Sequence, residues 1–371
     1  MTRTKIIASL GPSVFEKKDI LRAAKAGMDI ARTNMSHSSH SWHSKVIERT
    51  RKAGEELGRK IPVLMDIQGP CVRTGEIPIN GGFIRIKKGD SVVFTIKNNG
   101  SKSKIFVNYP EFIELVDKNS LIFLSDGAVQ LRVVEKTNRD VICESLYDAK
   151  IKSRSTLSVF EKSFNLPALT EKDWKDIEFG VKKGVEYFGI SFVKTGKEIV
   201  EIRNFLTQQG SKAKIIAKIE TPEAIQNLEN IIKVSDAVMI ARGDLGVTLP
   251  LEHTPFHQYN IIKKCKDFRK FVVVATQMLH SMKNKPIPTR AEVNDVFTAV
   301  VTGSDAIMLS DETAEGKYPI ETIQYARKII KTAEKIPYKL SIHTRSSALS
   351  EAQKAFYLKE PAQKAQISEG W

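Results

Sequence analysis

Two kinds of hydrophobic pattern divide the chain. Over residues 1–75 and again over 163–336, short aliphatic and β-branched runs alternate with longer stretches whose apolar residues recur every three or four positions. The short runs read as buried parallel strands and the longer ones as helices that cover them. Strands fall at Lys5–Leu10, Asp29–Asn34, Pro62–Asp66, Tyr187–Val193, Lys214–Glu220, Ala237–Gly243, Phe271–Thr276 and Ala306–Leu309. Helices are expected at about Glu16–Lys25, Ser41–Gly58, Glu171–Lys183, Lys197–Gln208, Pro255–Phe268 and Ile320–Lys335, with a further one starting at Pro222. Thr170 with Asp173 reads as a capping box. From Glu76 to Lys162 the period changes to two, broken by turns such as Asn98-Asn99-Gly100 and Asp126-Gly127. That stretch predicts an all-β insertion, a small β-barrel lid. Eight strands, each followed by a helix and interrupted after the third, predict an α/β fold: a (β/α)8 TIM barrel. The barrel is then discontinuous, 1–75 with 163–336. The lid is 76–162, and a polar tail, 337–371, carries one short helix near Glu351–Tyr357.

The richest chemistry lies where the fifth and sixth strands stop. Lys218 and Glu220 are two apart, so both point to one side of their strand. Asp244 follows the next strand, and in parallel α/β folds the carboxyl ends of the strands build the site. Two carboxylates suit a hard cation such as Mg²⁺. A lysine beside that cation suits a phosphoryl group or an enolate, both of which carry negative charge in the transition state. The plain alternative is a salt bridge at a strand end.

Composition narrows the partners. The formal charge is +15, but the basic residues are spread along the chain and no nucleic-acid-binding pattern occurs. An anionic small substrate or a solvated basic surface accounts for it. No apolar run approaches a membrane span, and the first residues lack a signal-peptide pattern. Cys71, Cys143 and Cys265 match no metal or disulfide spacing, so reduced thiols and a cytoplasmic location are expected. His37, His40 and His43 are spaced by three; a metal reading competes with ordinary packing at a helix start. Glu312 reads either as support for a metal's water shell or as a cap, and Asp126 either as a nucleotide-side acid or as a hairpin turn. Neither common glycine-rich phosphate loop is present.

Ten motifs in order carry a family resemblance: TKIIASLGPS, ARTNMSHSSHSWH, QGPCVRTG, LPALTEKD, ISFV, AKIETPEAIQNL, ARGDLGV, VATQML, PTRAEVNDV and IMLSDETAEGKYP. Over residues 2–335 the chain resembles pyruvate kinases. The resemblance implies the same barrel with an inserted β domain, and transfer of phosphate from phosphoenolpyruvate to ADP, giving pyruvate and ATP. It implies that Glu220 and Asp244 hold Mg²⁺ or Mn²⁺, and that Asn34, Ser36, Asp66 and the Ile67 carbonyl hold K⁺. It assigns phosphate to Arg32, the phosphoryl in flight to Lys218, and the substrate carboxylate to Gly243, Asp244 and Thr276. Asn34, His37 and Arg73 would face the nucleotide. There are departures. Ser155–Glu161, STLSVFE, replaces a run whose lysine contacts nucleotide phosphates, and Cys71 stands where the family has an acid or, in K⁺-independent members, a lysine. Gln68 replaces a lysine and Asp311 a glycine. The family's C-terminal regulatory domain has no counterpart in the sequence, which leaves a homodimer through the barrel as the expected assembly. Two further readings stand beside the kinase: a diverged paralogue that binds phosphoenolpyruvate and metal without phosphorylating ADP, and a metal-dependent lyase. Arg32 and Lys218 argue against the lyase, which needs no phosphate clamp.

Overall fold

A computed structural model describes residues 2–78, 81–97, 103–125 and 127–336. Asp126 and the tail helix expected near Glu351–Tyr357 lie outside the described residues. Eight parallel strands close a barrel: β1 (Lys5–Ser9), β2 (Ile30–Asn34), β3 (Val63–Ile67), β4 (Tyr187–Ile190), β5 (Lys214–Ile219), β6 (Ala237–Ala241), β7 (Phe271–Ala275) and β8 (Ala306–Leu309). Each pairs with its sequence neighbours, and β8 returns to β1 with Lys5 opposite Ala306. The alternation of a strand explains two separate cores. Ile7, Leu64, Ile216, Met239, Val273 and Met308 fill the barrel interior. Their neighbours, such as Ile6, Met65, Ile215 and Val274, face the surrounding helices. Lys218 lies two residues beyond Ile216, so the same alternation turns it inward at the carboxyl end of β5.

Most strands stop one to three residues before their apolar run does. β4 ends at Ile190 because Phe192 takes a left-handed φ of 56°. β6 ends at Ala241, and Arg242–Thr248, expected to be strand end and turn, forms a short helix. β7 ends at Ala275, with Thr276 at φ 70°. The helix after Thr221 is two pieces, Pro222–Gln226 and Leu228–Val234, divided at Asn227. A helix at Arg290–Val301, which the strand-and-helix reading passed over, precedes β8.

Between β3 and β4 the described strands pair as two sheets. One has six strands, in the order Leu157–Val159, Leu121–Leu124, Val129–Lys136, Asp140–Ser145, Ser91–Thr95 and Ile105–Phe106. The other pairs Phe83–Ile86 with Ala149–Lys152. Both bury residues in one apolar cluster that includes Phe94, Phe112, Leu131 and Ile151. The segment after β3 lies between the two edges of the six-stranded sheet, bridging Thr156 through Arg73 and Val107 through Thr74, and so closes it into the expected small barrel beside the two-stranded pair. A register shift between Val133 and Glu135 bends the longest strand and accompanies that closure. Two antiparallel connections tie this region to the barrel. Thr74 N–H donates to the Ser155 carbonyl (2.9 Å) and Leu157 N–H to the Val72 carbonyl (2.9 Å). Among the described residues, no helix is long and apolar enough to cross a membrane.

Candidate active site

The carboxyl ends of β2, β3 and β5 deliver one buried ion cluster. Asp66 is at its centre and 2% exposed. Its Oδ2 accepts from Arg32 Nε at 2.7 Å, and its Oδ1 lies 3.1 Å from Lys218 Nζ. Lys218 also lies 2.9 Å from Glu220 Oε1 and donates to Ser191 Oγ at 2.6 Å. The Ser191 hydroxyl donates in turn to the Ile67 carbonyl at 2.7 Å, and Arg32 Nη1 donates to Ser9 Oγ at 2.7 Å. Five of the barrel's strand ends or their following loops are thus linked through side chains.

Electrostatics decides the protonation states. Burial opposes charge on Asp66, but Lys218 and Arg32 outweigh it and hold its carboxyl below the usual range. Burial likewise opposes charge on Lys218, and Asp66, Glu220 and Asp244 outweigh it and push its ammonium up. Asp66 and Lys218 thus stand as a fixed pair of opposite charges across the neutral range.

Glu220 supplies the observation that bears on a divalent cation. The residue is 1% exposed, and its Oε2 accepts the Phe192 N–H at 2.6 Å. Oε1 has Lys218 within ion-pair distance, yet no donor is aligned on it as a hydrogen bond. A buried carboxylate oxygen without an aligned donor fits a metal ligand. Among the described residues no three His, Cys, Asp or Glu side chains cluster as a closed cage. Two carboxylates, with the remaining positions left to substrate and water, match the habit of Mg²⁺. The expected K⁺ donors offer no such orphan. Asn34 Oδ1 accepts the Ser36 N–H (3.1 Å), the Ile67 carbonyl accepts Ser191, and Asp66 faces two cations.

A cleft of ≈ 570 Å³ opens onto this cluster. Arg32, Asn34, Ser36, His37, Asp66, Lys218, Glu220 and Asp244 line its barrel side. Arg73, Lys152, Arg154 and Ser155 line the side of the insertion. Ile67, Gly243 and Thr276 are not part of that lining. The Gly243 N–H, expected to face a substrate carboxylate, instead donates to Thr276 Oγ1 at 2.8 Å, because the left-handed turn at Thr276 brings its hydroxyl against the start of the 242–248 helix. Ser155 is 6% exposed, and its hydroxyl accepts from Ser125 (2.9 Å) and donates to the Lys152 carbonyl (2.8 Å).

The other candidates resolve differently. His40 pairs with Asp176 at 2.6 Å and stacks on Phe179, whereas His43 is buried, bonded to Thr33 Oγ1 and, through Nε2, to the His37 carbonyl at 2.8 Å. The three histidines form no metal centre. Glu312 accepts backbone N–H groups from Ser310 (2.7 Å) and Leu279 (3.2 Å), which fixes it as a cap across two loops. Ser191 and Phe192 were missed as individual positions. A serine closing an apolar strand is a weak signal, and the left-handed backbone of Phe192, which aims its N–H at Glu220, has none. Gly69, at φ 72°, lets the loop after β3 pass against both; a Cβ there would lie 3.1 Å from Ser191 and Phe192 atoms.

Fold and site together define a (β/α)8 barrel protein with a charged, metal-competent cleft under an inserted β region. A family profile described as "Pyruvate kinase, barrel domain" matches residues 1–323. The chain is 41% identical over 324 residues to pyruvate kinase isozyme G, chloroplastic, of Nicotiana tabacum, covering 87% of this chain and 57% of that protein. It is 40% identical to the pyruvate kinase of Thermococcus litoralis (90% and 70% covered) and 40% identical to that of Staphylococcus haemolyticus (90% and 57%). The chain belongs to the pyruvate kinase family. It spans little more than half the length of several of these relatives.

Proposed function

We propose that the protein transfers the phosphoryl group of phosphoenolpyruvate to ADP, giving pyruvate and ATP. The observation that carries this reading is the Arg32–Asp66–Lys218–Glu220 cluster at the floor of the cleft. Phosphoryl transfer is governed by positioning and charge neutralisation more than by covalent chemistry. Arg32 holds the phosphate, oriented by Asp66 and Ser9. Lys218 neutralises the group in transit; its raised pKa keeps it a cation rather than a proton carrier. Glu220 and Asp244 would hold Mg²⁺ or Mn²⁺, which supplies Lewis-acid neutralisation of the substrate's anionic oxygens. Asp244 and Thr276 would serve the carboxylate side, with Thr276 Oγ1 assigned to the carbon that gains a proton. Asn34, His37 and Arg73 face the nucleotide across the cleft. The region 76–162 acts as a lid whose closure excludes water. No step here depends on K⁺.

The proposed setting is the cytoplasm, with the barrel as the surface of a homodimer. Free, buried Cys143 and Cys265, both pushed up to about 12 by burial, fit a reducing compartment.

The test is pyruvate formation from phosphoenolpyruvate with Mg²⁺ and ADP, with and without K⁺. ADP-dependent turnover supports the kinase. The locked Ser155 hydroxyl, standing where the family resemblance implies a nucleotide-side lysine, favours a second reading: phosphoenolpyruvate binding without ADP phosphorylation. Retained binding in a titration, with no turnover, would establish it.

A further inference from the structure

Arg242 follows β6 directly, and its side chain is 13% exposed. A guanidinium carries five N–H groups in a rigid fork. Five acceptors surround this one. Nε donates to the Ala275 carbonyl (3.2 Å), Nη1 to Gln258 Oε1 (3.2 Å) and Asp295 Oδ1 (2.6 Å), and Nη2 to the Thr276 carbonyl (2.7 Å) and Met278 Sδ (2.9 Å). Three of those acceptors lie on the last residue of β7 and the segment that leaves it.

That segment is strained. Thr276 and Gln277 are both left-handed, at φ 70° and 52°. A β-branched residue in that region is a true outlier, held there by its surroundings. Arg242 takes the carbonyls on both sides of the Thr276 α-carbon. The turn then sets Thr276 Oγ1 to donate to Ala275 O (2.6 Å) and to accept from the N–H of Gly243, the residue next to Arg242. One side chain grips the β7 loop while its neighbour's main chain grips that loop's hydroxyl.

We infer that Arg242, held by Asp295 of the Arg290–Val301 helix, is the positioning residue that sets the Thr276 hydroxyl and the Gly243–Asp244 backbone for reaction. This rests on the pyruvate kinase reading above. Arg242 is not part of the cleft lining, so its effect runs through Thr276 and the residues that follow it. A lysine keeps the charge but has three donors and no fork, and Asp295→Asn keeps an acceptor oxygen but removes the charge.

The experiment compares native protein, Arg242→Lys and Asp295→Asn in two assays: steady-state turnover, and Mg²⁺-dependent exchange of pyruvate methyl protons with solvent deuterium followed by NMR. In Arg242→Lys both kcat and exchange should fall at least about tenfold, with KM for ADP within about twofold of native. In Asp295→Asn both should fall about threefold or more. Native kcat and exchange per folded molecule in the variants, with a lowered melting temperature alone, would overturn the inference, as would a rise confined to KM for ADP. If Arg242→Lys does not fold, Asp295→Asn decides. Native protein without turnover would count against the kinase reading itself and would take this inference with it.

Discussion

Lys218 touches three acidic or hydroxyl partners inside a barrel end: Asp66 and Ser191 tie β3 and the end of β4 to it, and Glu220 closes its own strand. Lys218→Met should lower pyruvate formation by at least about a thousandfold while a Mg²⁺-induced melting shift persists, because Glu220 and Asp244 remain. Near-native turnover would remove Lys218 from its proposed role. His43 makes a different forecast. Burial lowers its pKa below 6.5, against the opposing His37 carbonyl and Asp176. A depressed pKa means that the unfolded chain binds the proton first as pH falls, so stability is present above 6.5 and declines below it. Thermal melts from pH 7.5 to about 5.5 should fall steadily for native protein and more shallowly for His43→Gln. At this scale the sequence is unevenly legible. Lys218 and Glu220 are readable from spacing alone, since strand alternation fixes their common side. Asp66 and Arg32 needed the family resemblance, because the contacts between them cross from one strand to another. Phe192 was legible by neither route: its contribution is a backbone dihedral angle.

Helix ends carry the next level. The 171–183 helix begins with the capping box that Thr170 and Asp173 announce, and the 290–301 helix begins with an equivalent one at Thr289 and Glu292. The second signal was present in PTRAEVNDV and passed over, as was the helix. Thr289→Ala should cost about 1 kcal/mol of stability, read from denaturant unfolding, without moving KM for ADP. A different constraint governs the middle of the 171–183 helix, where Gly180 lies against β3 and β4. A Cβ there would meet Phe188 Cε1 at 2.5 Å and Met65 Sδ at 2.7 Å. Gly180→Ala should therefore destabilise by about 1–3 kcal/mol despite its better helix propensity, a sign that denaturant unfolding reads directly. Strand ends were overextended by the sequence reading at β4, β6 and β7. In each case the residues beyond the ladder keep apolar neighbours while the backbone turns away to present a functional group, and hydrophobic pattern does not register that turn.

The molecule as a whole carries a formal charge of +15, and its proposed substrates are anions. Raising salt from about 0.05 to 0.5 M should reduce kcat/KM for phosphoenolpyruvate severalfold through screening, with kcat little changed. A salt-independent kcat/KM would place the basic residues outside any steering role. The eight-strand count and the position of the β insertion were both readable from the period of the hydrophobic pattern. The part that residues 72–75 take in closing the insertion's sheet was not, since strand pairing across long separations leaves no local mark. The closure of the barrel also sets the order in which the chain can acquire structure on the ribosome. Ser9 hydrogen-bonds the Leu309 carbonyl across 300 positions, and β1 has its outer partner only when β8 has emerged. Until Lys218 emerges with β5, Asp66 lacks the ammonium that balances it, and a barrel made only to that point cannot bury that carboxylate. The insertion owns a separate apolar cluster and has no such dependence. A nascent chain halted before Lys218 should therefore hold a protease-resistant β region flanked by barrel strands that are still digestible, and resistance of those strands should arrive abruptly with the last one.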